Sequence, residues 1–183
     1  TDYFGLPDSV EVAVEDGRAY LTASEEAYDV IMVDAYQDIT IPFQMSSVEF
    51  FSQVESHLKK NGVMVVNMNM KSSSEDSIND YLCDTIASVF KYVYTVPVDG
   101  GTNMEVFASN EAGLPEMLKK NTEKLPDGEL KGMMETVSAE LTGYEGKDRI
   151  LTDDKAPVEL LGMKVLDEII GEELDYYREL YLG

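Results

Sequence analysis

The hydrophobic and polar positions fall into short blocks of changing period. Val10–Val14 alternates apolar and acidic residues over a β-branched run, the pattern of a strand with one polar face. Glu15-Asp16-Gly17 closes that run, and Arg18–Ala23 begins a short helix. Tyr28–Val33 is almost continuously apolar, as expected of a strand buried on both faces of a parallel sheet, and it ends on Asp34. A loop containing Pro42 follows. Ser46 or Ser47 can cap the next helix, which the pattern extends to about Lys60, with Lys59 and Lys60 at its negative end and Asn61-Gly62 as its stop. Val63–Met68 is a second buried strand.

Helical spacing returns over Glu75–Phe90, with Ile78, Leu82, Ile86 and Val89 on one face. Tyr92–Val98 and Asn103–Ser109 read as strands joined around Asp99-Gly100-Gly101, a hairpin signal. Alternating strands and helices imply a parallel sheet, and the hairpin adds an antiparallel strand. Beyond Ser109 the period is helical, over Leu114–Lys124, Leu130–Leu141 and Val158–Tyr181, with Asp154 a candidate N-cap for the last. The expected organisation is a partial Rossmann-like α/β domain over 1–109 and a helical extension over 110–183 packed on it.

Composition narrows the functional classes. The net charge of -22 repels phosphate backbones, which argues against nucleic acid, and attracts cations, polyamines included. No apolar run is long enough to span a membrane. No basic, apolar leader is visible, so a cytoplasmic location is expected. The single Cys83 lies in a helical stretch and is expected to be a buried thiol. No His and Cys stand at metal-ligand spacing, and His57 is expected to pack or face solvent. The three tyrosines Tyr176, Tyr177 and Tyr181 suggest a packed or interface-forming tail.

Open α/β sheets bind ligands at the carboxyl ends of their strands. Asp16 and Asp34 stand at two such ends, with Asp38 in the loop beyond. A carboxylate there can accept hydrogen bonds from an adenine amino group or a ribose, or take a proton from an amine. It can equally cap a helix or face water. Asn67 and Asn69, at the end of the next strand, could line a site or satisfy loop backbone.

Several segments together are more specific. Asp16-Gly17-Arg18-Ala19-Tyr20-Leu21 precedes Tyr28–Tyr36, then come Ile41-Pro42, Phe50-Phe51 and Leu58–Val63, and later Leu151-Thr152-Asp153-Asp154-Lys155-Ala156-Pro157-Val158. In order and spacing this resembles the spermidine synthase family, more closely its bacterial spermidine synthase-like branch. The resemblance implies the fold of S-adenosylmethionine-dependent methyltransferases, with strand order 3-2-1-4-5-7-6. It also implies transfer of an aminopropyl group from decarboxylated S-adenosylmethionine to a polyamine or other small amine. Carried over, Asp34 is the acid that deprotonates the attacking amine, Asp16 with the Gly17 backbone contacts the adenine, and Tyr36 and Asp38 face the substrate.

Departures accompany the resemblance. Gln37 stands where the synthases usually carry a second aspartate, and Ile39–Phe43 replaces their Gly-Pro-Ala segment. No glycine-rich loop follows a first strand, and no acid ends a second one. The expectation is therefore a sheet lacking its first strands, no bound cofactor, and no activity for this chain alone. Strand 4 would be left as a free edge that favours a homo-oligomer. A non-catalytic binding or oligomerisation module, or a methyltransferase on the same fold, are the alternative readings.

Overall fold

The computed structural model describes residues 5–35, 41–69, 76–98 and 103–182. Its core is one open five-stranded sheet of order β1-β2-β4-β3-β5. The strands are β1 (Tyr28–Val33), β2 (Leu58–Met68), β3 (Tyr92–Pro97), β4 (Met104–Ser109) and β5 (Thr142–Gly143). β1 and β2 are parallel, while β4 runs antiparallel between β2 and β3. From β1 to β3 this is the 4-5-7-6 half of the methyltransferase-type order.

Helices α2 (Val48–Ser56) and α3 (Ile78–Val89) cover one face. Phe50, Phe51 and Val54 of α2 pack with Ile78, Leu82 and Ile86 of α3 over Val33, Met64, Val66, Val106 and Ala108 of the strands. Each such side chain contributes about 1.5–3 kcal/mol by leaving water. Leu151, Val158, Leu161 and Val165 join the same core, so the segment after β5 returns to this face. α3 starts at a capping box in which Ser77 Oγ accepts from Asp80 N–H, and the Asp80 carboxylate accepts from Ser77 N–H. The single thiol, Cys83, is buried against Met68, and burial pushes its pKa up to about 12.

The other face carries Val30, Met32, Val63, Val65, Asn67, Glu105 and Phe107. Helices α4 (Leu114–Thr122) and α5 (Glu129–Glu140) lie on that side, around grooves against β1, β2 and β4 and against β3 and β4. α6 (Val158–Leu182) packs on the core through Val158, Leu161, Val165 and Leu166, and its Tyr176, Tyr177 and Tyr181 are exposed, with Tyr177 and Tyr181 stacked. Among the described residues no helix is long and apolar enough to cross a membrane.

Four expectations change. Val10–Val14 forms no strand, and its valines are exposed, because alternation makes a strand only where a partner strand supplies the ladder. β1 is not buried on both faces: Val30 is 53% and Met32 74% exposed, since on that side α4 borders an open groove along this edge strand rather than packing tightly on it. The second helix stops at Ser56 rather than Lys60. The His57 ring lies against Gln53 O and Ser24 O, Lys59 and Lys60 already belong to β2, and Asn61 takes a left-handed φ of 64°. Asp154 caps nothing: with Asp153 it forms the turn between the bridged Thr152 and Lys155, and α6 begins after Pro157.

Candidate active site

β1 ends at Val33, so Asp34 leaves the sheet at its carboxyl end. The register pairs Val33 with Val66, which places Asp34 beside Asn67, and Asn67 pairs with Glu105, which pairs with Val96. Asp34, just past the end of β1, therefore lines up with Asn67, Glu105 and Val96 in one row across β2, β4 and β3. Their side chains share the face away from α2 and α3, because strand side chains alternate and Val33, Met68 and Val106 fill the core.

Within that row Asn67 Nδ2 donates to Asp34 Oδ1 at 3.0 Å, and Asn67 Oδ1 accepts from Asn103 Nδ2 at 3.1 Å. The chain of amides fixes one oxygen of Asp34 and leaves its remaining lone pairs toward solvent. Glu105 is half-buried, and burial first, then the negative charge of Asp34, raises its pKa. Asn67 was a candidate from sequence. Glu105 and Asn103 were not, although an acid in the otherwise apolar run Met104–Ala108 is a visible signal.

Asp16 lies at the N-terminus of α1 (Gly17–Ala23), where its Oδ1 accepts from Ala19 N–H at 2.9 Å. That contact holds its carboxyl below the usual carboxylate range, with help from the Gln44 side chain. A Cβ added at Gly17 would touch the Met45 methyl at 3.5 Å. Asp16 and Gly17 thus abut residues 44 and 45 of the connection from β1 to α2, the connection that Asp34 opens. Both acids therefore border the connection from β1 to α2. Tyr36, Gln37 and Asp38 lie outside the described residues.

Two ion-pair networks hold this end in place. Arg18 reaches Asp153 through two contacts, 2.8 and 2.7 Å, and donates to Gln44 O at 2.9 Å. Ser47 Oγ donates to Asp153 and accepts from Phe50 N–H, so the α2 cap is tied to the same carboxylate. Behind α3, the fully buried Asp84 accepts from Arg149 Nε, Tyr144 Oη and Lys147 N–H at 2.7, 2.6 and 3.0 Å. Burial alone would raise its pKa, but these three donors outweigh it and hold the carboxyl low.

A family model for the spermine/spermidine synthase domain matches residues 7–121. A probable polyamine aminopropyl transferase of Bifidobacterium longum is 48% identical across 98% of this chain and 44% of its own length. The polyamine aminopropyltransferase of Vibrio vulnificus is 25% identical across 87% of this chain and 55% of its own. The chain thus spans about half the length of these curated relatives. Among solved structures, a probable spermidine synthase from Corynebacterium glutamicum superposes with a TM-score of 0.55 at 19% identity, over 81% of this chain and 60% of its own. Human methyltransferase-like protein 13, in complex with SAH, gives a TM-score of 0.55 at 24% identity, over 70% of this chain and 66% of its own. The fold is thus that of the methyltransferase-like proteins, and the chain belongs to the spermine/spermidine synthase domain family.

Proposed function

We propose that this chain carries the amine-activating half of a polyamine aminopropyltransferase site. The observation that carries the reading is Asp34 at the carboxyl end of β1, held through Asn67 by Asn103. An ammonium has no lone pair, so the acceptor must first lose a proton, and Asp34 is positioned to take it. The neutral nitrogen then bonds to the aminopropyl carbon of decarboxylated S-adenosylmethionine while the carbon–sulfur bond breaks. The electron pair stays on sulfur, methylthioadenosine leaves, and the product nitrogen carries the positive charge. The proton on Asp34 returns to solvent.

The residues present fit one part of the nucleoside. Asp16 uses one oxygen to cap α1 and keeps acceptor capacity for an adenine amino group, beside the small Gly17. Tyr36 and Asp38, in the loop after Asp34, are proposed to face the acceptor. The sequence shows no glycine-rich loop after a first strand and no ribose-binding acid at the end of a second, so we expect the 183-residue chain alone not to turn over. Calorimetric titration with methylthioadenosine tests this. No binding is expected, and micromolar binding would show a complete nucleoside site within this chain.

A second reading rests on the outer edge of β1, which pairs with no described strand and exposes Val30 and Met32. Such an edge offers free backbone groups to a second copy of the chain. Light scattering at high concentration is expected to show a dimer. A strictly monomeric species would remove this reading and leave the enzymatic one intact.

A further inference from the structure

The row that begins at Asp34 reaches a second acid and then a cavity. Two strand spacings of about 4.8 Å place the backbone of Glu105 about 10 Å from that of Asp34 on the same face. Beyond Glu105, between β3, β4 and α5, lies a cavity of about 370 Å³. Its walls are apolar, from Val96, Pro97, Phe107, Met133 and Val137, with Glu105 at one side and Glu140 at another.

Glu105 is costly where it stands. It interrupts an apolar strand, is half-buried, and shares its row with another acid. Among the described residues no cation or hydrogen-bond donor reaches its carboxylate. A group held in that state gains most from a ligand that brings the missing positive charge. Apolar walls with an acid at the mouth suit an aliphatic chain bearing an ammonium group. A neutral or anionic ligand would leave Glu105 uncompensated.

The geometry points to Glu105 as the specificity-determining anion of the acceptor subsite: it binds the ammonium remote from the attacking nitrogen, and the cavity under α5 takes the aliphatic chain beyond it. This rests on the reading of Asp34 as the acid at the attacking nitrogen. The separation of the two acids matches a short aliphatic diamine with one charged contact at each end. Longer amines extend past Glu105 into the cavity toward Glu140. A monoamine meets Asp34 alone and gains nothing from Glu105.

The test compares 1,4-diaminobutane with butylamine, titrated calorimetrically into the 183-residue chain and into its Glu105→Gln and Asp34→Asn variants, with circular dichroism to verify folding. The wild type is expected to bind the diamine at least tenfold more tightly than butylamine. Glu105→Gln should abolish that preference and leave butylamine unchanged, and Glu105→Asp should restore part of it. Equal affinity for both amines in the wild type, absence of diamine binding, or a diamine affinity unmoved by Glu105→Gln would each overturn the inference. The Asp34 reading fails separately, if Asp34→Asn leaves full turnover in the full-length protein. In that protein, Glu105→Gln should raise the KM for diamines about tenfold with kcat little changed.

Discussion

Arg18 and Asp153 stand 135 residues apart in sequence and meet through two parallel contacts, 2.8 and 2.7 Å long. Each belongs to a different block of the chain, the Asp16-Gly17-Arg18 turn and the Leu151–Val158 segment. The pairing gives both blocks one physical task, because Asp153 also receives the Ser47 hydroxyl that caps α2. The loop that starts at Asp34 is thereby clamped at its far end.

The clamp predicts a pH-dependent stability. Hydrogen bonds from Arg18 and Ser47 lower the Asp153 pKa from 3.8 to about 2. A depressed folded pKa contributes stability above the unfolded value, and this is lost as pH falls through the folded one. The pair is partly exposed, which limits it to about 1 kcal/mol, or about 2–4 °C in Tm. Asp153→Asn should therefore melt a few degrees below wild type near pH 7, and the gap should close between about pH 4 and about pH 2.

Asp84 predicts a larger effect. It is fully buried and accepts from Arg149, Tyr144 and Lys147 N–H, joining α3 to the segment that leads into the Leu151–Val158 block. Asp84→Ala removes one of the three carboxylates around Arg149 and the buried acceptor of Arg149 Nε, Tyr144 Oη and Lys147 N–H, and breaking such a buried pair costs about 3–5 kcal/mol. Thermal melts should show a drop of about 10 °C or more. Arg149→Leu in the same background should recover little of it, because the guanidinium still pairs with Asp76 and Asp80 at 3.1 Å each and its removal breaks those contacts too.

Much of this arrangement was legible in the sequence, and the parts that were not share a cause. Ile78, Leu82 and Ile86 gave the buried face of α3, and the two strands around residues 99–102 gave the hairpin, because both patterns depend on neighbours in sequence. Asp34 was placed at a strand end by the apolar run before it. Val10–Val14 misled because its alternation is strand-like, whereas a strand also requires a partner. Lys59-Lys60-Asn61-Gly62 misled because it resembles a helix terminus, while the ring of His57 ends α2 through carbonyls at 53 and 24. Asp84 owes its environment to residues tens of positions away, so local period carries no mark of it, and Glu105 shows locally only as an acid in an apolar run, with the row it joins set by distant strands.

Asn67 predicts a kinetic effect without a stability effect. Its amide donates to Asp34 and accepts from Asn103, so it sets the direction of the carboxylate. Asn67→Ala in the full-length protein should lower kcat about tenfold, the worth of one oriented hydrogen bond of about 1.4 kcal/mol, with KM for the nucleoside unchanged. Asn103→Ala should do the same more weakly. Unchanged kcat in both would mean that Asp34 needs no orientation.

The most direct measurement is the rate of methylthioadenosine release by the full-length protein with Asp34→Asn. An asparagine keeps the shape and the contact with Asn67 but cannot take a proton. The account predicts a loss of about 10²–10⁴-fold in kcat, with nucleoside binding retained. A variant that turns over at the wild-type rate would contradict it and place the base elsewhere.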